Sequence, residues 1–162
     1  MTISHVGIQV TDVQQMTDFY LAALKPLGYA KRMEPAKDVI GMGPRFCGPT
    51  FWLSPGLDLS KKPDTGEQLH IAFHASNRQK VRDFHAAALK AGGTCNGAPG
   101  IREQYFPTYY AAYVLDPEGR NIEAHCMAPA FVAEPVQRNI IFAVSGAIVA
   151  AAVYWARTRE MF

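Results

Sequence analysis

Apolar and polar positions alternate with period two at the start of the chain and then pass into helical spacing. Val6, Ile8 and Val10 alternate with His5, Gly7 and Gln9, the pattern of a half-buried strand. Met16, Phe19, Tyr20, Ala23, Leu24 and Leu27 follow on one helical face, with Thr11 and Gln14 reading as a capping box and Gly28 as the stop. The same order returns later. Ile71, Phe73 and Ala75 alternate with His70, Ala72 and His74, Ser76 and Gln79 read as a second capping box, and Val81, Phe84, His85, Ala88 and Leu89 form a second helical face before Gly92 and Gly93. Shorter strands are expected at Tyr29 to Glu34, Val39 to Met42 and Phe46 to Ser54. In the second half they are expected near Thr94, at Ile101 to Phe106, Tyr109 to Leu115 and Asn121 to Cys126, the last two joined by the turn Asp116-Pro117-Glu118-Gly119.

The two halves are copies. A shift of 65 positions lays residues 5–28 on 70–93 with nine identities in 24: His5 on His70, Gln14 on Gln79, Asp18 on Asp83, Phe19 on Phe84, and the run Ala22, Ala23, Leu24, Lys25 and Gly28 on its counterparts. The expected fold is α+β: two βαβββ modules forming a cup-shaped mixed sheet with helices outside, plus a C-terminal apolar helix. Residues 1–128 make the domain, with modules at 1–57 and 66–128 and a Pro- and Gly-rich connection at 55–66.

Composition narrows the class. With 162 residues, 49% hydrophobic and 19% charged, the chain can bury a core, and disorder is excluded. Three cysteines, at 47, 95 and 126, without a CxxC spacing, give neither a disulfide framework nor a zinc ribbon. A net charge of +2 with no basic stripe argues against nucleic acid as a partner. The N-terminus shows no basic region followed by an apolar run, so the domain is expected in the cytoplasm and not secreted. Residues 129–139 read as a linker. Residues 140–157 hold a run of 17 uncharged positions, Ile140 to Ala156, with Tyr154 and Trp155 near its end. That run is a candidate membrane tail anchor, with a buried or homodimer-forming helix as its rival.

The chemistry lies on the strand faces turned away from the helices. These carry His5, Gly7 and Gln9 in the first strand, His70, Ala72 and His74 in the strand after the connection, and Asn121, Glu123 and His125 in the last. A merely wet face draws Lys, Thr and Ser, whereas this one holds four of the five histidines in the chain. Two imidazoles and one carboxylate with sites left open form a facial triad for Fe(II), Mn or a similar ion.

His-Val-Gly-Ile-Gln-Val at 5–10, Tyr20-Leu-Ala-Ala-Leu-Lys-Pro-Leu-Gly-Tyr29, Gly48-Pro-Thr-Phe-Trp-Leu53, His70-Ile-Ala-Phe, Phe84-His-Ala-Ala-Ala-Leu-Lys-Ala-Gly-Gly93 and Tyr109 through Ala124 carry a family likeness. Over about residues 2–128 the chain resembles the vicinal oxygen chelate superfamily, the glyoxalase, bleomycin-resistance and extradiol-dioxygenase group, in its small glyoxalase-like members. The resemblance implies an eight-stranded cup around one divalent ion (Fe, Mn, Zn or Ni), with ligand positions that match His5, His70 and Glu123. It implies a metal-dependent enzyme that chelates a small oxygenated molecule through two oxygens. The alternative is a bleomycin-resistance-like module that binds a small molecule without turnover.

Glyoxalase-type members add a fourth ligand near the end of the first module. Between Val39 and Leu57 this chain has no Asp, Glu, His or Gln, and the matching position falls at about Trp52 or Leu53, which argues against a lactoylglutathione lyase. Glu123 as proton shuttle, His74 and Tyr110 are the candidate catalytic groups beside the ion. His125, Trp52 and Tyr113 are candidates for substrate binding. Tyr109, Tyr110 and Tyr113 can each offer a phenol, and strand parity leaves open which of them faces inward. The resemblance does not say whether the ligands come from one chain or two.

Overall fold

A computed structural model describes residues 3–56 and 69–134. The first module runs β1 (Val6–Val10), α1 (Val13–Leu24), a 3-10 turn (Lys25–Leu27), β2 (Tyr29–Ala36), β3 (Val39–Pro44) and β4 (Phe51–Pro55). The second repeats it as β5 (His70–His74), α2 (Arg78–Lys90), β6 (Thr94–Ile101), β7 (Tyr110–Leu115) and β8 (Asn121–Cys126), followed by a short α3 (Ala130–Ala133). Each module folds into a four-stranded mixed sheet, ordered β1-β4-β3-β2 and β5-β8-β7-β6. In both, the first and last strands pair in parallel and the others antiparallel. The α+β class and the paired βαβββ modules are as expected. The eight strands, however, form two separate ladders, and β1 and β5 are each hydrogen-bonded along one edge among the described residues.

The helices begin one residue later than the capping boxes predict. Asp12 caps α1 by accepting from the Gln15 N–H, and Asn77 caps α2 by accepting from the Lys80 N–H. Carboxylate and amide oxygens next to the expected Thr and Ser take the cap, in keeping with their strong N-cap preference. Gln14 and Gln79 instead donate to Asp18 and Asp83 one turn on, so the repeat persists at the level of side-chain bonds.

One core serves both modules. Phe19, Tyr20 and Leu24 of α1, Phe84 and Ala88 of α2, and Phe51, Phe73, Val114 and Ile122 of the sheets lie in a single buried cluster. Phe51 is edge-on to Tyr20 at 4.7 Å between ring centroids and to Phe73 at 5.5 Å, a favoured aromatic arrangement. A polar clamp joins the modules as well. The Tyr20 hydroxyl donates to Asp116 across 2.7 Å, and Thr11 donates its N–H and hydroxyl to Glu118 at 2.7 and 2.6 Å.

Several expected elements differ. Leu89, placed on the apolar face of α2, is 37% exposed. Residues 101–106 are not a strand: β6 ends at Ile101, and Arg102 to Tyr109 form successive turns around Pro107. Residues 130–133, read as the start of a linker, are the helix α3, tied to α2 through Glu134, whose carboxylate receives the Arg82 guanidinium at 3.1 and 2.7 Å. All three cysteines are free. No helix among the described residues is long and apolar enough to cross a membrane. The apolar run at 140–157, like most of the 55–66 connection, lies outside those residues.

Candidate functional site

Strand parity in the second sheet follows from what α2 must cover. Val114 and Ile122 are buried beneath that helix in the common core, so their neighbours Tyr113 and Glu123 face the other way. The register sets Ala72 beside Glu123 and Glu123 beside Tyr113, which puts the carboxylate in the middle of three strands. Glu123 is only 3% exposed, and both of its oxygens are engaged. The His70 Nε2 lies 2.9 Å from Oε2, and the Tyr109 hydroxyl donates to Oε1 at 2.6 Å. Burial first, and the bond to Glu123 second, hold the Tyr109 phenol well above its ordinary value of 10, so it stays a proton donor. Tyr109 is fixed in turn by His125, whose ring stacks on it at 5.1 Å with 3° between planes.

The other nitrogen of His70 is also held. Asn121 Nδ2 lies 2.7 Å from Nδ1, and Asn96 donates to Asn121 Oδ1 at 3.1 Å. With the amide in this orientation Nδ1 accepts, Nε2 carries the proton, and the imidazole donates to Glu123. Turning both amides over lets Asn121 accept from Nδ1–H and leaves an Nε2 lone pair directed at the carboxylate. An imidazole nitrogen and a buried carboxylate oxygen meeting at 2.9 Å, with a side-chain partner behind the ring, make a donor set that fits a divalent ion as two of its ligands.

His5 stands apart from that pair. It precedes β1, lies near Ser4 and is edge-on to Trp52 at 6.4 Å. Among the described residues no three His, Cys, Asp or Glu side chains are placed to hold one ion, so a single chain brings together His70 and Glu123 but not His5. His5 and His74 instead line a cavity of about 250 Å³ together with Tyr29, Phe51 and Phe73.

The remaining candidates separate clearly. His74 lies edge-on to His125 at 5.8 Å, away from the His70 imidazole along β5. Burial, with His74 nearby, lowers the pKa of His125 despite the opposing effect of Glu123. Tyr113 lies on the Glu123 face with its ring 6.1 Å from that of His70. Tyr110 does not. It shares the parity of Val114, and its ring lies beside the Arg78 and Arg82 guanidinium groups at 5.0 and 5.9 Å. The phenol at the carboxylate is therefore Tyr109 rather than Tyr110. Once Val114 is assigned to the core, counting back along the strand gives this answer, so the signal was present. Asn96 behind Asn121 had no such signal, because it lies on the irregular β6 strand.

Trp52 belongs to the first sheet, where Gly7 pairs with Trp52 and Trp52 with Gly41. Gly7 and Ala72 are related by the 65-residue repeat (72 − 7), so Trp52 occupies the place that Glu123 takes in the second module. The fourth-ligand position is thus an indole, which cannot bind an ion through oxygen.

No protein-family model matches the chain, and no curated protein matches it. Solved structures do. A glyoxalase/bleomycin resistance protein from Albidiferax ferrireducens is 29% identical, with 75% of this chain and 95% of that one covered at a TM-score of 0.58. A glyoxalase/bleomycin resistance protein/dioxygenase family enzyme from Burkholderia phytofirmans is 19% identical, covering 79% and 100% at 0.60. A mutant of the fosfomycin resistance protein FosX from Listeria monocytogenes, complexed with Mn(II) and dihydroxypropylphosphonic acid, shares the fold at 16% identity, covering 78% and 90% at 0.57.

Proposed function

We propose that this chain, which shares its fold with solved glyoxalase/bleomycin resistance/dioxygenase superfamily proteins, is a member of the vicinal oxygen chelate superfamily and a metal-dependent enzyme of the glyoxalase/dioxygenase type acting on a small oxygenated molecule. The observation that carries this reading is the 2.9 Å approach of His70 Nε2 to the buried Glu123 carboxylate. A buried carboxylate needs partners, and here they are one imidazole and one phenol rather than Lys or Arg. His70 and Glu123 would hold the ion. His5 is the proposed third ligand, and because it stands apart within one chain, a second copy is the proposed source. The open edges of β1 and β5 offer strands on which such a pairing can form. When bound, the ion supplies a Lewis acid for two neighbouring oxygens of the substrate.

The chain's own groups have defined tasks in this scheme. Tyr109 keeps its proton and fixes one oxygen of Glu123, which leaves the other for the ion side of the site. Asn121 sets the tautomer of His70 through Nδ1. Glu123 is the group placed to accept and return a substrate proton, with Tyr109 able to stabilise the charge left behind. Tyr113 and His125 would supply aromatic surface for the substrate, and Trp52, which lies beside His5, would join them from the second copy.

A second reading rests on a specific observation. His70 and Glu123 satisfy one another directly, and among the described residues no third His, Cys, Asp or Glu joins them. That arrangement also suits a module that sequesters a small aromatic molecule without an ion. Elemental analysis of the purified protein separates the two. The enzyme reading expects about one divalent ion per site, lost in His70→Ala and Glu123→Ala and weakened in His5→Ala. Protein that takes up no Fe, Mn, Zn or Ni in equilibrium dialysis would refute it.

A further inference from the structure

Arg102 lies at the end of β6, one aromatic ring away from the His70–Glu123 pair. Its guanidinium carbon is 5.3 Å from the centroid of the Tyr113 ring, and that ring is 6.1 Å from His70 and on the strand position paired with Glu123. The side chain is held flat along β6. Nη2 donates to the Ala98 carbonyl at 2.6 Å and Nη1 approaches the Ile101 carbonyl at 3.4 Å. Two glycines make that path. A Cβ at Gly100 would stand 2.9 Å from Nη1, and one at Gly97 would stand 3.4 Å from Nη2 and 2.8 Å from the Tyr113 ring. The backbone is pinned too, because the Arg102 N–H donates to Tyr109 and its carbonyl receives the Tyr105 and Phe106 N–H groups.

Among the described residues this cation has no carboxylate partner. The arginine ion pairs of the described residues engage Arg82 with Glu134 and Arg120 with Asp116 and Glu118, but none includes Arg102. A guanidinium held by backbone carbonyl oxygens and by the Tyr113 side chain, with no ion pair among the described residues, keeps further donors and its positive charge for an anion. We propose that Arg102 is a specificity-determining residue that selects substrates bearing a carboxylate or another oxyanion beside the oxygen pair presented to His70 and Glu123. The substrate class is therefore an anionic vicinal diol, enediol or hydroxy-carbonyl compound, lying across the Tyr113 ring between the two ends. This rests on the proposed function for the site and adds Arg102, which that reading does not use.

Catechol and 3,4-dihydroxybenzoate test it, since they share a ring and an oxygen pair and differ by one carboxylate. Calorimetric titration is done on protein stripped of metal with EDTA and on protein reloaded with Mn(II). The carboxylated probe is expected to bind about tenfold or more tighter than catechol in both states, as a charge-assisted hydrogen bond requires. Arg102→Gln is expected to bring that ratio to about one while leaving catechol affinity unchanged. Gly100→Ala, which keeps the charge but crowds Nη1, is expected to lower the ratio at least severalfold. A ratio near one in the unaltered protein, or a full ratio retained in Arg102→Gln, overturns the proposal. Failure of Mn(II) to raise affinity for either probe would count against the metal reading alone, because the metal-free ratio reads Arg102 by itself.

Discussion

Replacing Asp116 with Ala should cost about 3 kcal/mol of stability, because it removes the centre of a buried polar clamp. The carboxylate has a fully buried side chain and four donors: the Tyr20 hydroxyl at 2.7 Å, the Glu118 and Arg120 N–H groups at 2.9 and 2.8 Å, and Arg120 Nη1 at 2.9 Å. Removing one member of a buried pair costs about 3–5 kcal/mol, because the other charge is left uncompensated. Arg120 keeps Glu118 and the Gln9 carbonyl, both at 2.6 Å, so the lower end of that range applies. Tyr20→Phe removes one bond to a charged acceptor, about 1.5 kcal/mol, because Asp116 retains its other three donors. In Asp116→Ala the fully buried Tyr20 hydroxyl is orphaned. The double variant should therefore be no less stable than Asp116→Ala alone, a coupling of about 1–2 kcal/mol.

Urea unfolding followed by circular dichroism reads all three, and with a slope near 2 kcal/mol per molar the Asp116→Ala midpoint should fall by about 1.5 M. Loss of burial and of the Asp116 bond would leave Tyr20 titrating as an ordinary phenol, whereas in the native fold burial first and Asp116 second push its pKa far up. Strict additivity of the two single changes, or an Asp116→Ala cost below about 1 kcal/mol, would show that this clamp does not join the modules.

Two further outcomes follow from the same fold. Burial raises the Glu118 pKa, but bonds from Thr11 and Arg120 outweigh it and the net direction is down from 4.5. A depressed carboxylate contributes stability that is present above its unfolded value and is lost as pH falls through the folded one. Thermal midpoints should accordingly decline below pH 4.5 in the native protein, and Glu118→Gln should remove that increment; an unchanged acid profile in the variant would refute the link. At Gly41 an added Cβ would stand 2.9 Å from both the Trp52 ring and Pro49, so Gly41→Ala should cost about 1–3 kcal/mol by overpacking. With Trp155→Phe as background, leaving one of the two tryptophans, it should also shift the emission of Trp52; an unaltered spectrum would mean that the indole does not rest on this glycine.

Most of the fold was legible because period-two strands and 3.6-residue helices leave their mark on sequence, and a 65-residue repeat shows it twice. His70 and Glu123 were legible for the same reason, since parity puts both on the face that the helix leaves open. What could not be read was decided by local competition or by distance. Asp12 took the cap from Thr11 because two adjacent oxygens competed for it, and Thr11 turned to Glu118, 107 residues away. Pro107 and the turns on either side of it ended a strand that the apolar count at 101–106 favoured. Sequence does not separate Tyr109 from Tyr110, because both registers of β7 are partly apolar, and only the packing of Val114 under α2 breaks the tie. Convergence of His5 on the other two ligands is a statement about how sheets meet, and the alternation of residues within each strand carries no information on that.

The two modules keep one backbone and divide its chemistry. At equivalent positions the first sheet sets Gly7, Trp52 and Gly41 in a row across its strands, and the second sets Ala72, Glu123 and Tyr113. In the first row both flanking side chains are missing, and the space left at Gly41 is taken by the indole, since a Cβ there would stand 2.9 Å from its ring. In the second row the small residue is the single Ala72, and the central side chain is short, charged and bonded from two sides. An indole at the central position adds apolar surface and no oxygen donor, while a carboxylate there supplies oxygen donors but needs His70 and Tyr109 to make its burial tolerable. A duplicated sheet can thus provide a polar half that holds charge and an aromatic half that holds a ring. The glycine at 41, which in a β-strand would otherwise only weaken the ladder, is explained by the indole it admits.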